Sequence, residues 1–200
     1  MPAPYNALVT QPVGNAPLIF AFHGTGGDET QLAGLVRDIR PDAGLVAPRG
    51  DVSEGGANRF FRRTGEGVYD MPDLTRRTAA MSAFVSQMRA HHPGQDTYAV
   101  GYSNGANILA AMTLEQARLF DRVALLHPLI PWQPRDTSDL AGRPVLITGG
   151  RNDPICPLHL TTALVDYFRA NSAEVTTVLH DGGHEVRPLE IEALGRFFTT

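Results

Sequence analysis

The sequence predicts an α/β architecture, a mainly parallel central sheet with helices on both faces, on three observations. Short apolar runs alternate with longer segments whose apolar residues recur every three or four positions. One apolar run feeds straight into a helical segment through Gly101-Tyr102-Ser103-Asn104-Gly105. Polar loops, most of them glycine-bearing, follow the strands at His23, Ser103, Asp153 and His184. Strand–helix alternation implies right-handed crossovers, and the crevice of such a sheet lies beyond the carboxyl ends of its strands. All four loops are therefore expected on one rim.

Taken in order, Ala7-Leu8-Val9-Thr10 reads as a short edge strand, closed by a turn at Pro12 and Gly14. Leu18-Ile19-Phe20-Ala21-Phe22 is a continuous apolar run, the mark of a strand buried on both faces. It exits into His23-Gly24-Thr25-Gly26-Gly27. Asp28 or Thr30 is the expected cap of a helix through Leu32, Leu35, Val36 and Ile39. Gly44-Leu45-Val46-Ala47 is the next strand. Residues 51–69 read as a long irregular segment, and its Phe60-Phe61 pair argues against disorder. Met71-Pro72-Asp73 opens a helix with an apolar stripe through Leu74, Thr78, Met81, Val85 and Met88.

Thr97-Tyr98-Ala99-Val100 is the strand before the central pentapeptide, and residues 106–112 the helix after it. Arg122 to Leu126 forms another buried strand, exiting at His127-Pro128. A proline-rich connection from Leu129 to Gly142 carries Trp132. The strand at Pro144-Val145-Leu146-Ile147-Thr148-Gly149 leads to Asp153, and the helix marked by Leu160, Leu164 and Phe168 follows. Val175-Thr176-Thr177-Val178-Leu179 is the last strand, ahead of His184 and a closing helix with Ile191, Leu194 and Phe198.

The 200 residues suit a single domain over 1–200. A net charge of -4 is too mild to imply nucleic acid or an anionic membrane as partner. No apolar run approaches a membrane span. Met1 to Tyr5 lacks the basic and apolar regions of a signal peptide, and the one cysteine, Cys156, suits a reducing compartment. The expected location is the cytoplasm.

Strand, Gly-x-Ser-x-Gly, helix is the pattern of a nucleophile elbow. A serine hydroxyl needs a base, and histidine titrates near neutral pH. His91, His92 and His159 lie at helix ends and should be solvated. His23 suits a structural bond to the backbone, His127 ends a strand and could line the pocket, and His180 comes too early to reach over the rim. His184, after two glycines in the final loop, is free to meet Ser103. Asp153, just past a strand, is the carboxylate expected to orient that ring. Asp181 sits too near His184 along the chain, and Asp136 and Asp139 read as solvated. The expected oxyanion donors are the backbone N–H groups of Thr25 and Asn104.

With these residues in view, the chain resembles the α/β-hydrolase fold family, in particular its small bacterial carboxylesterase/phospholipase group, over nearly its whole length. The resemblance rests on His23-Gly24-x-Gly26, Pro48-Arg49-Gly50, the elbow with Ala106-Asn107, Asp153-Pro154-Ile155-Cys156-Pro157 and Gly182-Gly183-His184. The stretch Arg59-Phe60-Phe61-Arg62-Arg63 is similar to the branch that contains hydroquinone-inducible hydrolases. The resemblance implies ester chemistry with no cofactor and no metal, and Ser103, Asp153 and His184 as the triad. Dienelactone hydrolases of related architecture use cysteine as nucleophile, whereas this elbow carries serine. Cys156 reads as packing.

Little chain remains for a large lid domain, so the expected partner is a small, soluble ester in an open site. Phe60, Phe61, Leu129, Ile130 and Trp132 are candidate apolar walls. Arg59, Arg62 and Arg63 are a candidate carboxylate fork, set against surface solvation or a structural salt bridge. Apolar residues near Trp132 could instead form a homodimer interface. Two further readings stay open: a thioesterase, depalmitoylating or lysophospholipase-type enzyme using the same site, and a non-catalytic ligand-binding protein on a hydrolase scaffold.

Overall fold

The computed structural model describes residues 5–134 and 138–199, so the reading of Asp136 and the first four residues lie outside it. Its centre is a seven-stranded sheet built from β1 (Ala7–Thr10), β2 (Leu18–Phe22), β3 (Gly44–Pro48), β8 (Thr97–Tyr102), β9 (Arg122–Leu126), β10 (Pro144–Gly150) and β11 (Glu174–His180). The spatial order is β1-β3-β2-β8-β9-β10-β11. Only the edge strand β1 runs antiparallel, pairing Ala7 with Pro48 and Thr10 with Leu45. The remaining neighbours are parallel. This is the α/β-hydrolase fold expected from the sequence.

Alternation along the strands sends side chains to opposite faces. Leu18, Phe20 and Phe22 join Val123, Leu125, Val145 and Ile147 beneath three helices, α2 (Met71–Ala90), α3 (Asn104–Glu115) and α4 (Leu158–Ala170). Ile19 and Ala21 join Ala124, Leu126 and Leu146 on the other face, against α1 (Ala33–Ile39) and α5 (Pro188–Thr199). Both faces are covered, which is why β2 is apolar at every position and β9 and β10 nearly so. Among the described residues, no helix is long and apolar enough to cross a membrane.

The model differs from expectation in three places. Residues 51–69 are not irregular. They form two small antiparallel hairpins, β4 (Val52–Glu54) with β5 (Ala57–Arg59) and β6 (Arg63–Gly65) with β7 (Val68–Tyr69). The first turns on Gly55-Gly56, both at positive φ, which is the backbone a two-residue hairpin loop demands. Neither Asp28 nor Thr30 caps α1; the Asp28 carboxylate accepts the amide and hydroxyl of Thr30, while Leu32 occupies the cap with no side-chain bond. Finally, Phe60 and Phe61 belong to the core rather than to a pocket wall. They are 2% and 0% exposed, and pack on Phe22, His23 and Tyr69. Burying each contributes about 1.5–3 kcal/mol, enough to anchor the hairpins on the sheet.

Candidate active site

The exits of the parallel strands meet at one rim. Ser103 lies between β8 and α3 with φ 53° and ψ -117°, a strained backbone for any L-residue. Its neighbours explain how the turn closes. A Cβ on Gly105 would overlap the carbonyl oxygen of Phe22, and one on Gly101 would overlap that of Gly105. The Ser103 amide donates to Leu126 on the next strand at 2.9 Å, so the elbow is tied into the sheet.

Ser103 Oγ lies 2.8 Å from His184 Nε2, and His184 Nδ1 lies 2.7 Å from Asp153 Oδ2. The three side chains that the sequence singled out thus form one hydrogen-bonded row. Because a carboxylate only accepts, Nδ1 of His184 carries the proton and Nε2 is left to accept from the serine. Asp153 Oδ1 is occupied by the amides of Ile155 and Cys156, at 2.8 and 2.9 Å. Burial pushes the Asp153 carboxyl up, but the amide of Cys156 and the rings of His127 and His184 outweigh it and hold it below its usual range. The loop bearing His184 is fixed by Tyr102, whose hydroxyl donates to the His184 carbonyl at 2.8 Å.

The first turn of a helix has no intrahelical acceptor for its amides, and Asn104 opens α3. Thr25, in the loop after β2, lines the same cavity as Asn104 and Ser103. His23 is a structural group. Its Nδ1 donates to the Gly24 carbonyl at 2.7 Å and its Nε2 accepts the Gly50 amide at 2.9 Å, so both nitrogens are used in the neutral ring. Burial lowers its pKa accordingly.

A cavity of roughly 330 Å³ opens over Ser103. Arg59, Arg63, Tyr69, Leu129, Ile155 and Cys156 contribute to its wall. Arg59 is only 4% exposed; its guanidinium donates to Thr25 Oγ1 at 2.8 Å and lies 3.2 Å from the Glu54 carboxylate, which Arg63 shares. Arg62 points elsewhere: it is exposed, with its amide bonded to Asp73. Ile130 and Trp132 line a separate apolar groove near Leu160 and Tyr167. Of the expected substrate-binding residues, then, Arg59, Arg63 and Leu129 face the cavity, and Phe60, Phe61, Arg62, Ile130 and Trp132 do not. Burial pushes the Cys156 thiol far up, and its Sγ donates to the His127 carbonyl at 3.2 Å, so it stays a neutral thiol.

Two asparagines of α3 bind these parts together. Asn104 Oδ1 accepts the Phe60 amide at 2.8 Å. Asn107 accepts the Leu129 amide at 2.7 Å and donates to Tyr69, whose hydroxyl donates to the Leu129 carbonyl. Sequence reading assigned Asn104 only its backbone and Asn107 no role at all. The available signal was their position, one and four residues past the serine, on the helix end that must face the rim.

Comparison with known proteins places the arrangement in context. Residues 7–185 match the model of the dienelactone hydrolase family. The chain is 38% identical over 177 residues to "Putative hydrolase MhqD" of Bacillus subtilis, covering 88% of each chain. Among solved structures, protein Atu2452 of Agrobacterium tumefaciens, of unknown function, is 48% identical with a TM-score of 0.90, over 96% of this chain and 95% of that one. A Bacillus cereus carboxylesterase is 31% identical with a TM-score of 0.89, over 97% and 93%.

Proposed function

We propose, from the premise that this chain belongs to the dienelactone hydrolase family of α/β-hydrolases, that it is a serine esterase cleaving small carboxylic esters through an acyl-enzyme. The observation that carries the reading is the row from Ser103 Oγ through His184 to Asp153, at 2.8 and 2.7 Å. The likeness to a carboxylesterase over nearly the whole chain supports it.

In this reading the Ser103 oxygen attacks the ester carbonyl while its proton passes to His184 Nε2. Asp153 holds the ring and balances the charge it gains. The oxyanion forms against the amides of Asn104 and Thr25, each worth on the order of a hundredfold to a thousandfold in rate. The tetrahedral adduct collapses, His184 gives its proton to the departing alkoxide, and the alcohol leaves. Water then repeats the sequence on the acyl-Ser103 ester, releasing the acid and restoring the serine.

The cavity volume suits a small ester, and one that carries a negative group would compete with Glu54 and Glu66 for its two arginines. Purified protein should turn over p-nitrophenyl acetate and react with a fluorophosphonate probe. Ser103→Ala should lose probe labelling and at least about 10⁴-fold in kcat, since nucleophile loss in a serine protease costs about a millionfold. A panel of esters and thioesters of varied length and charge should show the highest kcat/KM for short esters. A wild-type protein with neither turnover nor labelling overturns the reading in favour of a ligand-binding protein.

A further inference from the structure

The row of side chains does not stop at Asp153. His127, at the exit of β9, is 0% exposed, and its Nδ1 lies 2.9 Å from Asp153 Oδ2, the oxygen that also receives His184. Its Nε2 lies 3.1 Å from Oε1 of Glu190, on α5, another fully buried carboxylate. That N–H is not well aligned on the oxygen, so the contact is an ion pair at close range rather than a directed hydrogen bond. Glu190 Oε2 accepts the Arg187 amide at 2.6 Å and stands 3.1 Å from His180 Nε2.

Counting protons settles who carries what. Asp153 receives four donors, two amides and two ring nitrogens, which only an ionised carboxylate can accommodate. His180 Nδ1 accepts the Gly182 amide at 2.9 Å, so its single proton sits on Nε2 and faces Glu190. This also removes a metal from consideration at the meeting point of His127, His180 and Glu190, because Nε2 of His180 has no lone pair to offer. Each ring nitrogen of His127 faces a carboxyl oxygen; an ionised one accepts only, and the Arg187 amide and the His180 N–H, both gathered on the other oxygen of Glu190, favour its ionised form. Two protons on His127 satisfy both.

We propose that His127 is a buried imidazolium held between Asp153 and Glu190, and that it acts as a positioning residue by sharing with His184 the charge of Asp153. Burial works against a charged His127, but Glu190 and Asp153 outweigh it and raise its pKa above 6.5. Burial likewise pushes Glu190 up, and its contact with His127 leads the effects that bring it below 4.5. The other titratable groups around His127 carry no charge. Tyr102, edge-on at 6.0 Å from β8, is raised by burial and by Asp153 and stays a phenol. Cys156 stays a thiol. His180 is neutral by its hydrogen bonds.

The consequence falls on His184, whose ring centroid is 5.1 Å from that of His127. When His184 takes the serine proton, it becomes a second cation on the same carboxylate oxygen. The fixed charge of His127 opposes that second charge, so the Asp153 oxygen that both rings share holds the two in place without giving either its full stabilisation.

Glu190→Gln tests this without changing shape. The amide gives His127 Nε2 a donor and the ring drops to its neutral form, which keeps the Nδ1–H bond to Asp153 but loses the positive charge. The acid limb of kcat/KM for a neutral ester should move to higher pH by roughly 0.5–1 unit, because the lost cation on His127 touches the shared Asp153 oxygen while the lost anion on Glu190 sits on its far nitrogen and offsets only part of it. His127→Gln should move it the same way. An even loss across pH, with the limb unmoved, overturns the proposal and leaves the cluster a structural one. The kinetic arm rests on the esterase reading; a second arm does not. Nitrogen-15 NMR of the unaltered protein across neutral pH should show one histidine that keeps both ring nitrogens protonated above the ordinary value of 6.5, a signal absent in His127→Gln and singly protonated at pH 6 in Glu190→Gln. A His127 already neutral at pH 6 overturns the proposal whether or not any ester is cleaved.

Discussion

Strands β8 and β9 lie side by side, and each ends in a residue whose φ sits in the left-handed region: Ser103 at 53° and His127 at 52°. A non-glycine residue there costs of order 1–3 kcal/mol and persists only when its surroundings over-determine it. The two exits are over-determined in different ways. Ser103 is held locally, by the tight approach of Gly101 and Gly105 to neighbouring backbone. His127 has no flanking glycine; it is held at a distance, by Asp153 and Glu190 through its ring and by Thr148 through its amide. The comparison teaches that one strained exit can be enforced by the absence of side chains and another by the charge of its own.

The largest effect is expected from breaking the local device. Gly105→Ala places a methyl group onto the carbonyl oxygens of Phe22 and His23, both backbone and both at the exit of the central strand β2. Something structural must move, so the variant should lose more than about 4 kcal/mol. Chemical denaturation and fluorophosphonate labelling should both report it. A Gly105→Ala protein with native stability would mean that the elbow does not depend on its glycines.

The second device is broken by His127→Gly. If only the dihedral mattered, glycine would relieve strain and stabilise the protein. We expect the reverse, a loss of about 3–5 kcal/mol near pH 6, because Asp153 and Glu190 are left buried without their shared cation. The pH dependence gives the sign. Asp153 and Glu190 are depressed, so their contribution is complete above their ordinary values of 3.8 and 4.5 and disappears as pH falls through the lowered ones. His127 is raised, so its contribution is complete below 6.5 and disappears as pH rises through the raised value. The gap between native and variant stability should therefore be widest at about pH 5–6 and narrow on both sides. Equilibrium unfolding across pH reads it, and a gap independent of pH would assign the loss to packing alone.

The same contrast explains what the sequence made legible. Central strands such as Leu18-Ile19-Phe20-Ala21-Phe22 could be located because a strand covered on both faces is apolar throughout, whereas the edge strands β1 and β11 showed only short β-branched runs. The elbow could be located because its strain is relieved by residue type. Asp153 and His184 followed from their places beyond strand ends. Glu190 left no such trace. In Arg187-Pro188-Leu189-Glu190 it looks like an ordinary acidic residue in the first turn of a solvated helix. Only the packing of α5 under the sheet makes it 0% exposed. His127 looked like one more histidine at a strand end for the same reason, its meaning residing in partners far away in the chain. Phe60 and Phe61 were misplaced because a pair of aromatics in a loop reads equally as wall or anchor until the hairpins that carry them are known.

A third residue sharpens the comparison by lacking either device. Ser172 has φ 61° but lies just past the end of α4, far along the chain from either strand exit. Its amide donates to the Arg169 carbonyl and that of Ala173 to the Phe168 carbonyl, the paired bonds of a Schellman turn. At that position glycine is the usual occupant, since the left-handed backbone costs a side chain about 1–2 kcal/mol. Part of the relief is offset by the greater freedom glycine has in the unfolded chain. Ser172→Gly should therefore stabilise the protein by about 0.5–1 kcal/mol, a rise of about 1–3 °C in Tm, and leave kcat/KM unchanged. The same substitution at two residues with nearly the same φ would then have opposite signs, stabilising at 172 and destabilising at 127. That opposition is what separates a left-handed residue that merely ends a helix from one whose side chain carries a charge its neighbours need.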